Sequence, residues 1–518
     1  MNLNSRNTNY VVLTSDQMRD ADRLTIQGGI SGFELLSSAG QQVYEVVRNL
    51  VTQSDQILVA CGNGNNGGDG LVAAKLLIEQ GFDVTVSLCN PADKMTEDAS
   101  LALKALDHPV SLLSNTPPDN YTVIIDAILG SGIDRPISGE LADWIGLANN
   151  SKARLVSVDI PSGVCGDSGI VLGMAIKADH TVTFFRKKTG NVLYPGRDYC
   201  GQIHLKQIGI DDSILDVVQP RYFENGTALW LNSMPLLGWD SHKYTRGHAV
   251  VATGNSLNTG AARLAARAAL RSGAGLVTLA CPTDAVPTVA AQVSCEMLKT
   301  VDTVTDFEKI LEDERVSSLV LGPALGVGSF TRKLVHAALS SSVPVVLDAD
   351  ALTSFETCPT ELFQLIANAS SDVVITPHSG EFDRLFNKPI QSMLAKEHES
   401  VKDLDTTNKI AMAIAAATLS GAVVVHKGPD TVIATPTGNC VVNTNAPPWL
   451  ATAGSGDVLA GTIAGWLAQG VPGFDAACAG CWIHAESAAV FGNGLIATDL
   501  AKQYPQIIAQ LVGLPKNS

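Results

Sequence analysis

The sequence predicts two α/β domains, each built on a mainly parallel β-sheet. From about residue 15 onward, apolar runs of four to six residues alternate with longer segments of helical period, which is typical of βαβ units. The chain has 518 residues, which exceeds the usual size of one domain. Hydrophobic residues make up 46% of it, enough for a substantial core. We expect domains at residues 10–215 and 228–514, with a linker or edge element near 212–228 where the periodicity is weak.

The first half is predicted to open with a helix, since Thr14 and Gln17 have the spacing of a capping box. A further helix is expected to start near Asp69. The strands predicted for this half cover residues 56–60, 83–88, 121–125 and 154–158.

The second half shows the same alternation, with no common spacing that would indicate an internal repeat. Residues 410–425 are interpreted as a helix followed by a buried strand, and another helix is expected to begin near Gly454. Ligands of open parallel sheets bind at the carboxyl ends of strands, so the residues just after each strand are the candidates for a site. The strands predicted here cover residues 248–254, 275–280, 317–322, 343–348, 372–377 and 422–428, the last being the buried strand that follows the helix.

Composition narrows the classes of partner. Lys and Arg number 35 against 51 Asp and Glu, a net charge of −16, so no excess of cations is present for nucleic acid or an anionic membrane. Ten cysteines are scattered along the chain, which favours reduced thiols in the cytoplasm over a disulfide scaffold or a structural zinc site. The polar N-terminus lacks the apolar run of a signal peptide. We expect a cytoplasmic homo-oligomer that acts on small molecules.

A glycine-rich loop, CGNGNNGGDG (61–70), follows the first predicted strand of the sheet. Glycines in a strand-to-helix turn let the backbone approach a phosphate, with helix N–H groups directed at the anion. The alternative is a tight turn in which Asn and Asp cap the helix. Two later strand ends carry Asp126 and Asp159, although an aspartate in this position is also a common helix cap. Asn66, Asp126 and Ser162 together offer hard oxygen ligands of low total charge, which suits a weakly held cation better than zinc.

Three motifs in this half, NNGGDG, DAILGSGIDRP and DIPSG, resemble the NAD(P)H-hydrate epimerase family over about residues 14–209. The resemblance implies a Rossmann-like three-layer domain in which Asn66, Asp126 and Ser162 bind K⁺. It implies acid–base work by Asp159 at C6 of the hydrated nicotinamide. Lys187 and Lys188 lie nearby in the sequence, where a solvated charge run is the alternative. The residues implied to hold the hydrated nucleotide are Asn65, Asn66, Gly67, Gly68, Asp69, Gly130, Ser131, Gly132, Ile133, Asp134, Arg135, Pro136 and Asp159.

The strongest chemical signal of the second half is TAGSGDVLAG (452–461). Gly454, Ser455 and Gly456 would form a nest of N–H donors at a helix start, with Asp457 in the first turn. Such an anion hole beside a base could stabilise a transferring phosphoryl group while the acid takes a hydroxyl proton. The alternative is that Asp457 only stabilises the helix N-terminus. His378 follows a strand in TPHSGEF, where a structural histidine is the alternative to a ligand contact.

The segment TAGSGDVLAG resembles the anion hole of ribokinase-like kinases. Together with SHKYTRGHAVVATGN, DAD, TPHSGE and HKGPDT, it is similar over about residues 241–500 to the ADP-dependent NAD(P)H-hydrate dehydratases, which implies a ribokinase-like α/β domain. By this resemblance Ala261, Gly326, His378 and Asp457 face the hydrated nucleotide. The positions implied to face ADP or AMP are Lys427, Gly428, Pro429, Asp430, Thr431 and Gly456.

The two resemblances imply a bifunctional repair enzyme for NADHX and NADPHX, the hydrated nicotinamide nucleotides. The first domain would interconvert the R and S epimers. The second would phosphorylate the C6 hydroxyl of the S epimer with ADP and Mg²⁺ and eliminate phosphate, giving NAD(P)H and AMP, with Asp457 as the base. Phosphorylation is chemically sensible because hydroxide is a poor leaving group. The alternatives are an ATP-dependent kinase of a small vitamin-precursor alcohol with an N-terminal nucleotide-binding module, and a first domain that senses nucleotides without turnover.

Overall fold

The computed structural model describes residues 8–235, 237–396 and 405–513. The chain divides into two compact units, Met1–Tyr222 and Phe223–Ser518, and this boundary falls inside the segment 212–228. The N-terminal residues 1–7, and residues 236, 397–404 and 514 of the predicted second domain, lie outside the described residues. The exact domain limits, 10–215 and 228–514, stay predictions.

Unit 1 is built on a seven-stranded parallel sheet in the order β4-β3-β2-β5-β6-β7-β9, while β1 pairs in parallel with β8. Its strands are β1 (Val11–Leu13), β2 (Gln56–Cys61), β3 (Asp83–Leu88), β4 (Val110–Leu112), β5 (Val123–Ala127), β6 (Arg154–Val158), β7 (His180–Phe184), β8 (Lys187–Lys188) and β9 (Gln202–Lys206). Its helices are α1 (Ser15–Gln27), α2 (Gly32–Arg48), α3 (Asn65–Glu79), α4 (Glu97–Leu106), α5 (Glu140–Asn150), α6 (Thr189–Val192), α7 (Gly196–Tyr199) and α8 (Ile214–Val218).

Helices cover both faces of this sheet. On one face α3 packs so closely that a Cβ at Gly70 would lie 2.5 Å from Ala127 Cβ. On the other face Trp144 and Ile145 of α5 share a core cluster with Leu58 and Ile124. Side chains alternate between the two faces of a strand, which is why both layers are apolar. Unit 1 therefore has the predicted three layers.

The start of unit 1 follows the sequence closely. Gln17 N donates to Thr14 Oγ1 and Thr14 N donates to Gln17 Oε1, both over 3.1 Å, so the predicted capping box is confirmed. The predicted strand at 121–125 is displaced by two residues, since β5 covers Val123–Ala127. The helix expected near Asp69 begins at Asn65, with Gly64 as its N-cap. That expectation was wrong because the glycines serve close packing inside the helix: a Cβ at Gly67 would lie 2.0 Å from Gly62 O.

Unit 2 contains seven parallel strands in the order β13-β12-β11-β14-β15-β16-β17, extended by antiparallel β18 and β19. Its strands are β11 (His248–Ala252), β12 (Leu276–Cys281), β13 (Met297–Thr300), β14 (Val316–Leu321), β15 (Val345–Leu347), β16 (Val373–Ile375), β17 (Val423–His426), β18 (Thr431–Ala434) and β19 (Cys440–Asn443), after β10 (Tyr222–Glu224) at the unit boundary. Its helices are α9 (Thr227–Trp230), α10 (Gly260–Arg271), α11 (Val286–Ala290), α12 (Val304–Leu311), α13 (Ser329–Ser340), α14 (Asp350–Thr353), α15 (Pro359–Ala367), α16 (Ser379–Lys396), α17 (Lys409–Ser420), α18 (Ser455–Ala468), α19 (Gly473–Phe491) and α20 (Ala497–Val512).

The α/β class predicted for unit 2 is confirmed, and helix α17 followed by β17 matches the interpretation of residues 410–425. Helix α18 begins at Ser455 and packs tightly on α10, where a Cβ at Gly461 would lie 2.0 Å from Ala265 O. Cys478 and Cys481 have CxxC spacing along α19, and both are buried free thiols. In the described parts of the chain, none of the helices combines the length and the apolar character that a membrane crossing requires.

Candidate active sites

The carboxyl edge of the unit 1 sheet opens into a cavity of about 940 Å³, within the range of small-molecule sites. It brings together α1 and the loops after β2, β5 and β6, as expected for a parallel sheet. Of the predicted nucleotide-binding residues, those that line the cavity are Asn65, Asn66, Asp69, Gly130, Ser131, Gly132, Ile133, Asp134, Arg135, Pro136 and Asp159. Gly67 and Gly68 lie behind this lining, where a Cβ at Gly68 would meet Leu36 at 2.4 Å.

Asp159 lines the cavity and is held by three contacts. Its carboxylate accepts from Ser131 N over 3.1 Å and from Thr183 Oγ1 over 3.3 Å, and it forms an ion pair with Lys188. Its backbone has a φ of +66°, a left-handed conformation that costs a non-glycine residue energy and that concentrates at functional sites. A Cβ at Gly130 would lie 3.4 Å from Asp159 Oδ2 and 3.5 Å from Asn66 Cγ, so the three predicted loops do meet.

Lys188 determines the charge of Asp159. The lysine side chain is 2% exposed, and Nζ also donates to Thr183 Oγ1 over 2.9 Å. Burial alone would raise the pKa of the Asp159 carboxyl, but the Lys188 charge and the hydrogen bonds from Lys188 and Ser131 outweigh burial and lower it. By sequence Lys188 is either a site residue or part of a solvated charge run, and the structure buries it in the cavity wall.

Two further carboxylates stand close to this pair. Burial, followed by the charges of Asp159 and Asp22, raises the pKa of Asp69 well above its ordinary value. Asp22, on α1, lines the cavity, and burial raises its pKa to about 6 even though the Lys188 charge lowers it. Sequence reasoning missed Asp22, because nothing in its neighbourhood distinguishes it from the exposed acids of the same helix.

Asp126 lies near the end of β5 and Ser162 in the loop after β6, where Ser162 Oγ accepts from the backbone N of Leu129, a residue of the cavity lining, over 2.9 Å. Asp126 is fully buried and accepts from Ser162 N over 2.8 Å, from Ser162 Oγ over 2.5 Å and from Ser157 Oγ over 2.8 Å. Burial raises the pKa of Asp126 despite these hydrogen bonds. The amide oxygen and nitrogen of Asn66 are buried and have no hydrogen-bond partner among the described residues. Asn66 therefore presents an unsatisfied amide oxygen, the kind of group that a hard cation binds.

In unit 2 the predicted anion hole lies at the start of α18. Gly454 has a φ of +86° and serves as the N-cap without a side-chain hydrogen bond, and Ser455 N donates to Thr452 O over 3.2 Å. Asp457 lies in the first turn, and a Cβ at Gly454 would lie 3.8 Å from its Oδ2. Burial and then the charge of Asp348 raise the pKa of Asp457 to about 6, although the charge of Lys427 lowers it.

Lys427 connects this turn to the strand ends beside it. Its Nζ donates to Asp348 Oδ1 over 2.7 Å, and a Cβ at Gly456 would lie 3.3 Å from Nζ. Burial would lower the pKa of Lys427, but Asp348, Glu381 and Asp457 together raise it. A cation held between carboxylates beside an N–H nest can stabilise phosphoryl charge.

His378 lies at the carboxyl end of β16 and is 56% exposed. Its Nδ1 accepts from Gly380 N over 3.0 Å, so the ring caps α16 and still presents an open edge to solvent. Gly326 N donates to Asp350 Oδ2 over 2.8 Å, which fixes the loop after β14. Ala261, in the first turn of α10, is half-buried.

The loop Lys427–Thr431 forms a tight turn between β17 and β18. Gly428 N donates to Thr431 Oγ1 over 3.2 Å, and Thr431 Oγ1 donates to Gly428 O over 3.0 Å. Asp430 pairs with Lys409 at the start of α17, where Nζ and Oδ1 are 2.6 Å apart. Pro429, between these contacts, stiffens the turn.

Comparison with known families gives two matches, one in each unit. The model described as NAD(P)H-hydrate dehydratase matches residues 249–509, and the model described as YjeF-related protein N-terminus matches residues 32–190. Together they cover all the predicted site residues of both units, whereas α1, which carries Asp22, precedes the first match.

Relatives match the chain over nearly its whole length. The bifunctional NAD(P)H-hydrate repair enzyme Nnr of Coxiella burnetii is 33% identical over 501 residues, covering 95% of this chain and 98% of the relative. The protein of the same name from Escherichia coli is 31% identical over 513 residues, covering 96% and 94%. Among solved structures, the ADP/ATP-dependent NAD(P)H-hydrate dehydratase of Bacillus subtilis, co-crystallized with ATP/Mg²⁺, is 25% identical with a TM-score of 0.47, covering 56% of this chain and 98% of that one.

Proposed function

The chain belongs to the family of bifunctional NAD(P)H-hydrate repair enzymes, and we propose how its two sites divide the work. The observation that carries the proposal is the full-length relation, which spans 95% of this chain and 98% of a relative named as a bifunctional NAD(P)H-hydrate repair enzyme. Unit 1, with its domain at 10–215, epimerises R- and S-NAD(P)HX. Unit 2, with its domain at 228–514, dehydrates the S epimer with ADP and gives NAD(P)H, AMP and phosphate.

In unit 1 the cavity of about 940 Å³ is proposed to hold the hydrated nucleotide. The start of α3 offers N–H groups to the phosphates, and Gly130–Pro136 with Asp159 surround the hydrated ring. Asp159 has a lowered pKa, so it is ionised at neutral pH and able to accept the proton of the C6 hydroxyl. Epimerisation also lets a dehydratase that accepts one epimer clear both.

K⁺ is proposed to bind through Asn66, Asp126 and Ser162. The fit rests on the buried, unpartnered amide of Asn66 together with the carboxylate and hydroxyl oxygens of the other two. Bound K⁺ would fix the loops after β2, β5 and β6 relative to one another. It would also offset the negative charge of Asp126 near the nucleotide phosphates.

In unit 2 Asp457 is the proposed base, which takes the proton of the C6 hydroxyl as the β-phosphoryl group of ADP is transferred to that oxygen. The N–H groups of Gly454 and Gly456 would hold the phosphoryl oxygens, and Lys427 would offset their charge. Ala261, Gly326 and His378 are proposed to contact the hydrated nucleotide, and Lys427–Thr431 with Gly456 the ADP. Mg²⁺ is proposed to enter with ADP: the described residues hold no group of three or more His, Cys, Asp or Glu side chains that could bind a metal ion, so most of its ligands would be phosphate oxygens and water. When bound, Mg²⁺ neutralises charge on the transferring phosphoryl group.

The test is a spectrophotometric assay of the full chain with mixed S- and R-NADHX, Mg²⁺ and K⁺, comparing ADP with ATP. Complete conversion of both epimers with ADP supports both assignments. Conversion that stops at the S fraction overturns the epimerase assignment and favours a non-catalytic first domain. No conversion with either nucleotide would favour a kinase of a small alcohol instead.

A further inference from the structure

The epimerase cavity contains a second carboxylate that the proposed function leaves without a role. Asp22 lies seven residues after Ser15 on α1, two helical turns along the same face. Ser15 Oγ donates to Ser131 O over 3.0 Å, and Ser131 N donates to Asp159. The face of α1 that carries Asp22 therefore lies against the loop that holds Asp159.

Asp22 faces a defined set of charges. Lys188 and Asp159 act on its carboxyl from the strand ends, and Asp69 interacts with it from α3. The remaining charged groups of the cavity lining are Arg19, Asp98, Asp134 and Arg135. Lys188 pairs with Asp159 and not with Asp22, so Asp22 has burial and two neighbouring acids acting against its ionisation.

The pKa values of the two carboxyls of the cavity are thus shifted in opposite directions. Asp159 has a lowered pKa, whereas the pKa of Asp22 is raised to about 6. Pairs of groups whose environments separate their pKa values are the usual acid and base of a site. Epimerisation of a ring carbon that carries both oxygen and nitrogen requires such a pair, since one proton must leave the oxygen while another reaches the nitrogen.

Building on the proposed epimerase function, we propose that Asp22 is a second catalytic residue, which donates a proton to N1 of the hydrated nicotinamide while Asp159 accepts the proton of the C6 hydroxyl. The C6–N1 bond breaks, its electron pair stays on N1, and C6 becomes an aldehyde. Rotation about the C5–C6 bond presents the other face of the aldehyde to N1. Ring closure then returns one proton to Asp22 and the other to oxygen, with nothing oxidised or reduced.

The test compares Asp22→Asn with Asp20→Asn in the full chain. Asp20 lies on the same helix but pairs with Arg23 at the surface, so it is the matched control. Chromatographic separation of the epimers gives the rate of R-to-S conversion, and absorbance gives the dehydration of purified S epimer. We expect D22N to lower the epimerisation kcat by about 10²-fold or more, with dehydration unchanged and D20N unaffected in both assays.

The pH profile separates proton transfer from a structural role. In the wild-type protein, epimerisation should decline as pH rises through about 6, because Asp22 must be protonated to act as the acid. This decline should be absent in D22N and present in Asp22→Glu, which keeps a carboxyl group. If the melting temperature shows that D22N is unfolded, the pH profile of D22E is the test instead. Its epimerisation should still decline as pH rises.

Three results would overturn the assignment: D22N that epimerises within twofold of the wild-type rate, D22E without the descending limb, or epimerisation in H₂¹⁸O that exchanges the C6 oxygen at every turnover. Retention of that oxygen is expected, since the C–O bond is not broken. A wild-type chain that does not epimerise at all would instead refute the proposed function of unit 1.

Discussion

Lys427 Nζ and Asp348 Oδ1 are 2.7 Å apart, and this hydrogen bond ties the loop after β17 to the end of β15. The Asp348 side chain is 2% exposed, so it depends on the lysine for its charge partner. Breaking a buried pair from one side leaves an unpaired buried charge, which is strongly destabilising. The pair therefore has a structural role in addition to the proposed contact with ADP.

Lys427→Met should lower the free energy of unfolding of unit 2 by about 3 kcal/mol. Lys309→Met is the control, because Lys309 and Asp306 form an exposed pair that is worth about 1 kcal/mol or less. Urea unfolding measures both. Since the pKa of Lys427 is raised, its contribution should persist up to the ordinary lysine pKa and be lost only as pH rises through the higher folded-state value. Equal effects of the two variants would contradict the structural role.

Asp457→Asn should abolish dehydration of the S epimer and leave R-to-S conversion intact, because only unit 2 loses its base. In the wild-type chain the dehydration rate should fall as pH falls through about 6, where Asp457 becomes protonated. The measurement is kcat against pH with purified S-NADHX and ADP. Glu314→Gln, at an exposed position of the same unit, should reproduce the wild-type profile. A kcat that stays constant over about one pH unit on each side of that pKa would exclude Asp457 as the base.

Lys188→Met should shift the acid limb of the epimerase profile to higher pH. Without the lysine charge, burial becomes the dominant influence on Asp159 and raises its pKa above the ordinary value, so the base is lost at a higher pH. The kcat/KM of R-to-S conversion across pH measures this shift. Exposed Lys152→Met should leave the limb in place. An unshifted limb in K188M would mean that Asp159 is not the group being titrated.

The elements with regular patterns were predictable from the sequence. The capping box at Thr14, the strand 154–158 and the helix-to-strand change at 410–425 depend on local residue types, and each is confirmed. The start of α3 was not predictable. Position 67 requires glycine because Gly62 O lies too close for a Cβ, and this contact forms only when the chain folds. The glycine run favoured a loop locally.

The residues of the candidate sites likewise include some that the sequence predicts and one that it does not. Asp159 and Asp457 each follow a recognisable local motif, so their positions could be predicted, although their roles stay predictions. Asp22 could not be found in this way, since its pKa is raised by burial and by the charge of Asp159, against the opposing charge of Lys188, and both residues are distant in the sequence. A local motif predicts where the backbone of a site lies. The pKa values of its side chains depend on charges and burial that the whole fold determines.

Asn66→Ala should weaken the binding of K⁺ to the epimerase domain. If Asn66 contributes an amide oxygen to K⁺, its loss should raise the K⁺ concentration for half-maximal epimerisation by about tenfold or more. The assay titrates KCl at constant ionic strength with tetramethylammonium chloride. Asn49→Ala, at an exposed helix end, is the control. An epimerase rate that is independent of K⁺ in the wild-type chain would refute the cation site.

Gly67→Ala and Gly64→Ala form a matched pair that tests the close approach in the glycine-rich loop. A Cβ at Gly67 would lie 2.0 Å from Gly62 O, which is backbone and cannot move aside cheaply, whereas a Cβ at Gly64 would have nothing within 4 Å. We therefore expect G67A to destabilise unit 1 by about 1–3 kcal/mol, the usual cost of overpacking, and G64A to leave its stability nearly unchanged. Thermal unfolding followed by circular dichroism measures both variants. Equal stability of the two would mean that α3 can withdraw from β2, and that the close approach is not required for the loop to form.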